Sequence, residues 1–328
     1  MMRTLKITLA WLVMACTALL GVSAQAESVE AYPDKLIKVV APYPPGGATD
    51  MFARLVAYNL QKEWGQSVVV ENKPGASGVI GADSVSRAAP DGHTLVVGAV
   101  SLHTILPSLL ENMYKAQERL TPVTTLANLP SYVVVPASSP AKTIDDLIKM
   151  VREAPGKYTY GSAGPGTSQH VFPELFKQEA KLDILHVPYK GSGAMVVDLL
   201  AGRIDMVIEQ GPAVLSHIRD GKLRALAATT KKRTEELPDV PTLDEGALPG
   251  FEANTWFAIY APKGTPEPII EKLNKQVGVM LKDPEVIDKL RTQGAVPMHE
   301  SVAQLKALEK ADTAKWLAVI KAGGIKIN

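Results

Sequence analysis

The 328-residue chain has a single cysteine, Cys16, and it lies in the N-terminal leader-like segment. A chain processed after that segment carries no disulfide and no thiol chemistry. Excess charge of one sign is also missing. Thirty-five Lys and Arg residues face 34 Asp and Glu residues, and loss of Arg3 and Lys6 with the leader leaves the two signs near balance. Such a chain offers no field for a polyanion, so neither nucleic acid nor a basic membrane-binding patch is expected. Beyond the N-terminus no apolar run is long enough to span a bilayer, which takes roughly 20 residues. Several catalytic signatures are absent: GxxxxGK[ST], GxGxxG after a strand, GxSxG and HExxH. The six histidines, at 93, 103, 170, 186, 217 and 299, share no helix face at metal spacing. No metal, no cofactor and no catalytic residue is expected, and the chain is read as no enzyme.

The leader is the first positive signal. Arg3 and Lys6 precede the apolar run LAWLVMACTALLGV, and SAQA follows with small residues at Ala24 and Ala26. That is the pattern of a secretory signal peptide, residues 1–26, cleaved after Ala26. A lipid anchor on Cys16 is the minor alternative, because Val-Met-Ala before it makes a poor lipobox. The expected location is the periplasm. About 300 mature residues suffice for two domains.

Past the leader, β-rich runs alternate with helical patterns, which predicts an α/β fold with a mostly parallel sheet. LIKVVAPY reads as a strand. DMFARLVAYNLQKEW reads as a helix with Phe52, Leu55, Val56, Leu60 and Trp64 on one face. Extended segments at 129–136 and 249–266 (PGFEANTWFAIYAPKGTP) predict two crossings between two such modules. The lobes are then 27–128 plus 254–328 and 129–253, with a cleft between them. One large doubly wound domain is the competing architecture.

Three Gly/Ser/Thr loops stand at strand ends: PPGGATD, GSAGPGTSQH (161–170) and YKGSG (189–193). In open α/β sheets, ligands sit beyond the carboxyl ends of the strands. Glycines there admit a ligand to the backbone, and helix N-termini donate to anions. Plain turns and N-caps are the commoner use of such residues. The first two loops carry no Arg or Lys, which suits a carboxylate better than a phosphate. Asp50 would repel an anion nearby, and is read as a cap that stiffens its loop.

PYPPGGATDMFAR, VVVENKPGASGVIGADSVSRAAPDGHTL, GSAGPGTSQHVFPELFK, HVPYKGSGAMVVDLLAGRIDM, LPDVPTLDE and TWFAIYAPKGTP run nearly end to end. Together they resemble the substrate-binding receptors of tripartite tricarboxylate transporters, the Bug or TctC-like family. The resemblance implies a type II periplasmic binding-protein fold, with two α/β lobes joined by two extended crossover strands around a ligand cleft. It implies a monomer that delivers a small carboxylate to membrane permease subunits. It also implies a carboxylate held by Tyr43, Pro45, Gly46, Gly47, Thr49 and Asp50 on one side. Ser162, Ala163, Gly166, Thr167 and Ser168 hold it on the other, partly through ordered waters. Ser101 and His103 follow a strand end that often lines the pocket.

Two departures from the family pattern stand out. Glu209-Gln210 replaces the common Asp-Asn pair, and a glutamate in the cleft disfavours a second carboxylate. That shifts the expected ligand towards monocarboxylates or acids bearing an amine, unless Glu209 points elsewhere. Pro173 replaces a small residue and predicts a late start or a bend in the helix after Ser168. Tyr189 is read as a brace and Trp256 as a hinge-packing residue. A ligand-presenting sensory module and a periplasmic hydrolase are the alternatives from other functional classes.

Overall fold

The computed structural model describes residues 31–325. The signal-peptide reading and the Cys16 alternative fall outside them. Alternation begins with β1 (Ile37–Ala41), α1 (Ala48–Trp64), β2 (Val68–Asn72), α2 (Val79–Ser86) and β3 (Thr94–Ala99). A π-helical turn over Ser101–Ile105 leads into α3 (Leu106–Leu109) and α4 (Glu111–Gln117). The long β4 (Leu120–Pro136) crosses to α5 (Ile144–Glu153), β5 (Thr159–Ser162), α6 (Ser168–Ala180), β6 (Leu185–Pro188), α7 (Ser192–Leu200), β7 (Met206–Gln210), α8 (Gly211–Arg219) and β8 (Leu223–Ala228). β9 (Asn254–Pro262) crosses back to α9 (Glu267–Met280), α10 (Pro284–Thr292), β10 (Val296–Pro297) and α11 (Val302–Gly323).

The sheet order is β2-β1-β3-β9-β4-β7-β5-β6, with β8 and β10 also on β4. The trio β2-β1-β3 is parallel, as is β7-β5-β6, and the antiparallel strands β9 and β4 lie between them. β4 is the shared strand. Its first part, Leu120 to Pro130, pairs with β9, and Ser131 to Pro136 pairs with β7 and β8. Each parallel trio sends its strand ends and following loops towards the same middle ground, where a ligand site is expected.

Sequence patterning explains the elements. Gly47 is extended (φ −98°, ψ 175°) and starts α1, and Gly65 in the left-handed region (φ 66°) stops it. Phe52, Val56 and Leu60 bury the apolar stripe against β-strand residues such as Val39 and Leu95. Thr143 and Asp146 form a capping box on α5, and Ser301 and Gln304 form one on α11. Each such cap contributes about 0.5–2 kcal/mol.

Two expectations need correction. β4 begins at Leu120, well before the expected Leu129. Its first half, LTPVTTLAN, lacks alternation because bulges fall between Pro122 and Thr124 and between Thr125 and Ala127. Thr124 and Thr125 are buried there, and their hydroxyls donate to the carbonyls of Glu300 and Met298. The second concerns Pro173. α6 starts at Ser168 and not later, because Pro173 falls at its sixth residue, where it removes one N–H donor without preventing the first turn.

The C-terminal α11 packs on both halves of the sheet. Trp316 stacks on Phe172 of α6 (centroids 4.9 Å apart), and the Trp256 indole donates to Asp312 at 2.5 Å. One apolar cluster therefore runs through Val96, Val133, Phe172, Trp256 and Trp316. Trp316→Ala removes a fully buried ring and is expected to cost about 3–5 kcal/mol. A urea melt checks this, and a loss below about 1 kcal/mol would show that α11 is not part of the cooperative core.

Candidate functional site

A cavity of about 250 Å³ opens where the two parallel trios face each other. First-turn residues of three helices line it: Gly47, Ala48 and Thr49 of α1, Ser168 and Gln169 of α6, and Gly191 to Ala194 of α7. None of the three helices has a side-chain cap on its N-terminus. The Thr167 hydroxyl, which sits at the cap position of α6, donates instead to the Gly164 carbonyl at 2.7 Å. First-turn N–H groups lack intrahelical partners, and each helix start carries a partial positive charge. Tyr43, Ser101, Gln210 and Phe257 complete the wall. Lys190 is the one charged residue among the described lining residues.

Asp50 keeps its negative charge off this surface. Its carboxylate accepts from the Gly46 amide (3.2 Å), Asn72 Nδ2 (2.9 Å) and Arg54 Nε (3.1 Å), and Arg54 Nη2 closes the ion pair at 3.0 Å. Burial alone would raise this carboxyl, but the bonds from Arg54, Asn72 and Gly46 outweigh it and hold it below the usual carboxylate range. The same Asn72 amide also donates to the Tyr43 carbonyl at 3.1 Å. The loop is thus braced from behind, with Gly46 at φ +95°, where a Cβ would be strained. Arg54, one turn into α1, balances the acid although the loop itself has no cation.

Glu209 also lies behind the wall and does not line the cavity. Its Oε1 accepts from Gln169 Nε2 (2.9 Å) and from the Gln210 amide (2.7 Å). Gln169 Nε2 reaches Gln210 Oε1 as well (2.8 Å), and Gln210 Nε2 donates to Ser168 and Thr255 (both 3.2 Å). Burial pushes the Glu209 carboxyl above its usual range, against the pull of the hydrogen bonds it accepts. The expected objection to a second carboxylate falls with this placement, because Glu209 organises the two glutamines and does not face the ligand space.

Of the residues singled out in the sequence, Tyr43, Pro45, Gly47, Thr49, Ser101, Ala163, Ser168 and Gln210 line the cavity. Gly46 and Asp50 face a separate groove between α1 and α10. Ser162, Gly166 and Thr167 are packed beneath the α6 start, with the Gly166 amide donating to His170 Nδ1 at 3.0 Å. His103 is no wall residue. It is buried, stacks on Tyr260 (centroids 3.6 Å apart) and bonds Gln117 at 2.7 Å, so it packs under the loop. Sequence reasoning did not pick Gln169 or Phe257, and it marked the α7 start only as a loop. Lys190 and Ser192 were not picked from that YKGSG loop.

The Tyr43 hydroxyl donates to the Ser77 carbonyl (2.8 Å), and Ser77 Oγ donates across to the Pro165 carbonyl (2.6 Å). Ala76 and Ser77 both hold positive φ (45° and 54°), which costs of order 1–3 kcal/mol per residue and persists only where neighbours enforce it. Here the neighbours are Tyr43 and the α6 loop. Burial raises the Tyr43 phenol to about 12, so it remains a protonated donor.

The family profile described as "Tripartite tricarboxylate transporter family receptor" matches residues 52–325. The chain belongs to that receptor family. Among relatives, BugT of Bordetella pertussis is 38% identical over 94% of this chain and 95% of its own. The solved structure of R. palustris Rpa4515 with adipate superposes at a TM-score of 0.87, with 36% identity, over 90% of this chain and 99% of that one. MatC from Rhodopseudomonas palustris with bound malate gives 0.82 and 31% identity, over 88% of this chain and all (100%) of that one. The fold is accordingly the type II periplasmic binding-protein fold.

The family is one of substrate-binding receptors, which are not enzymes. Ser162 Oγ lies 2.6 Å from His186 Nε2, but Ser162 is fully buried and off the cavity wall. Among the described residues no cluster of three or more His, Cys, Asp or Glu could hold a metal ion. No helix among them is long and apolar enough to cross a membrane.

His186 stacks on His170 (centroids 4.1 Å apart) and on Tyr160 (4.8 Å), directly below the α6 start. Burial, then the neighbouring His170, lowers the His186 pKa to about 4, with Glu174 pulling it up and Lys177 down. An unfolded histidine titrates near 6.5. The stability contributed by the neutral ring is therefore complete above about pH 6.5 and is lost as pH falls towards 4. His186→Gln is expected to flatten the decline of the melting temperature across that window. An unchanged decline in the variant would remove His186 from the account.

Proposed function

We propose that this chain is a periplasmic solute receptor. It captures a small carboxylate between lobes formed by 27–128 plus 254–328 and 129–253, and presents it as a monomer to the permease subunits of a tripartite transporter. The N-terminal segment cleaved after Ala26 directs its export. The observation that carries this reading is the wall itself: three helix starts meet in a cavity with no acidic residue among the described lining residues. Each helix start contributes about 0.3–1 kcal/mol to an exposed anion and up to about 2 when partly buried. Desolvating a carboxylate costs several kcal/mol, so dipoles alone fall short. Hydrogen bonds to a charged group add about 1.5–3 kcal/mol each, and several first-turn amides with Ser168, Ser192 and Gln210 supply them. The adipate and malate of its relatives are anions of this kind.

The ligand favours the arrangement in which both lobes touch it, because only there do all three helix starts reach it. Ser77 on one side and Pro165 on the other already meet across the cleft. The acid leaves as it entered, and nothing in the wall is assigned a catalytic task.

The test is a thermal-shift and calorimetric panel of mono-, di- and tricarboxylates, aromatic acids and amino acids on refolded protein. A carboxylate at a hundred times its dissociation constant adds about 2.7 kcal/mol and is expected to raise the midpoint by several degrees. In the same panel Gly47→Val is expected to weaken that acid tenfold or more while leaving the unliganded melt in place. A Cβ at Gly47 meets no protein atom within 4 Å, and its backbone is extended. No shift with any carboxylate on natively refolded protein would overturn the proposal.

A further inference from the structure

The cavity has a neighbour. A second space of about 660 Å³ adjoins it and shares Tyr43, Pro44, Ala163, Lys190 and Gly191 as a common wall. Its own lining is mainly apolar or backbone, with Pro74, Leu110, Pro165 and Tyr189 prominent. Among the described residues lining either space, Lys190 is again the only charge. It is exposed and forms no salt bridge with any described acid. The nearby acid Asp198 is taken by Tyr189 (2.9 Å) and Arg203 (2.7 Å). Gly191 next to it (φ +105°) approaches Pro44 so closely that a Cβ would lie 3.2 Å from that ring, which seats Lys190 at the junction of the two halves.

We propose that Lys190 reads the far end of the ligand and selects acids with a second anionic group over monocarboxylates. The inference rests on the receptor reading above. One carboxylate occupies the small cavity among the helix starts. The remainder of the molecule extends along the shared wall into the larger, apolar space and passes Lys190. An ammonium with no salt bridge to a described acid stabilises a terminal carboxylate at that wall and gives nothing to a methyl end. Glu209, the acid that would have opposed a second negative group, is turned away and held by Gln169 and the Gln210 amide.

The experiment compares matched pairs, adipate against hexanoate and succinate against butanoate, by calorimetry on the wild type, Lys190→Met and Lys190→Arg. Methionine keeps the length and removes the charge, and an exposed site tolerates both variants, which their melting temperatures confirm. The wild type is expected to prefer at least one diacid over its monoacid by about tenfold or more, as a charge-assisted hydrogen bond allows. Lys190→Met is expected to abolish that preference by weakening the diacid and leaving the monoacid within about twofold, whereas Lys190→Arg keeps it. Equal losses for diacid and monoacid would mean that Lys190 only adds to the general field of the site, and would overturn the inference. So would an unchanged preference. If the wild type binds other carboxylates but shows no preference for any diacid, the inference fails and the receptor reading survives. If it binds no acid at all, the receptor reading itself fails.

Discussion

An anion leaves water only if something replaces the hydrogen bonds it gives up, and three helix starts without side-chain caps converge on one cavity here. Much of the surrounding architecture serves this meeting. Two parallel trios of strands point their carboxyl ends at one another because the antiparallel strands β4 and β9 lie between them. α11 bridges both halves from outside through the Phe172–Trp316 stack. Uncapped helix starts are a cost in an ordinary surface helix, and α5 and α11 avoid it with capping boxes. The cavity-lining helices leave their amides available instead.

The same demand dictates where negative charge sits. Two acids lie within a residue or two of the wall, and both are turned from it. Asp50 is enclosed by Arg54, Asn72 and the Gly46 amide, so its charge is spent on holding the first loop. Glu209 has no cation among its hydrogen-bond partners, and burial pushes its proton affinity up. Its role is to orient Gln169 and Gln210, whose amides can adapt to either a donor or an acceptor on the ligand. Both placements leave the wall positive, and Lys190 then gives that surface a direction.

Legibility in the sequence differed by element. Period-3.6 patterning located α1, with Phe52, Val56 and Leu60 buried as expected, and Gly-rich turns marked the strand ends that surround the site. The first half of β4 was hidden, since bulges broke its alternation and its threonines are buried through hydrogen bonds to Met298 and Glu300. α10 also went unseen, a short helix whose pattern merges with its neighbours. Within the site, the backbone-lined positions were readable because Gly-rich loops stood where strands run into helices. Side-chain direction was not readable. His103 lies near the wall in sequence yet stacks on Tyr260, and Glu209 stops behind the wall that its neighbour Gln210 reaches, although both accept from Gln169 Nε2. Phe257 reaches the cavity from β9, in a stretch that the sequence marked only as an extended crossing.

The central claim is that one carboxylate is held by the starts of α1, α6 and α7 together. Amide NMR titration of isotope-labelled protein with a bound acid tests it most directly. The expected result is that the N–H signals of Gly47 to Thr49, Ser168 to Gln169 and Gly191 to Gly193 all shift downfield with one common dissociation constant. Shifts confined to a single helix start, or to residues outside the cavity, would contradict the account.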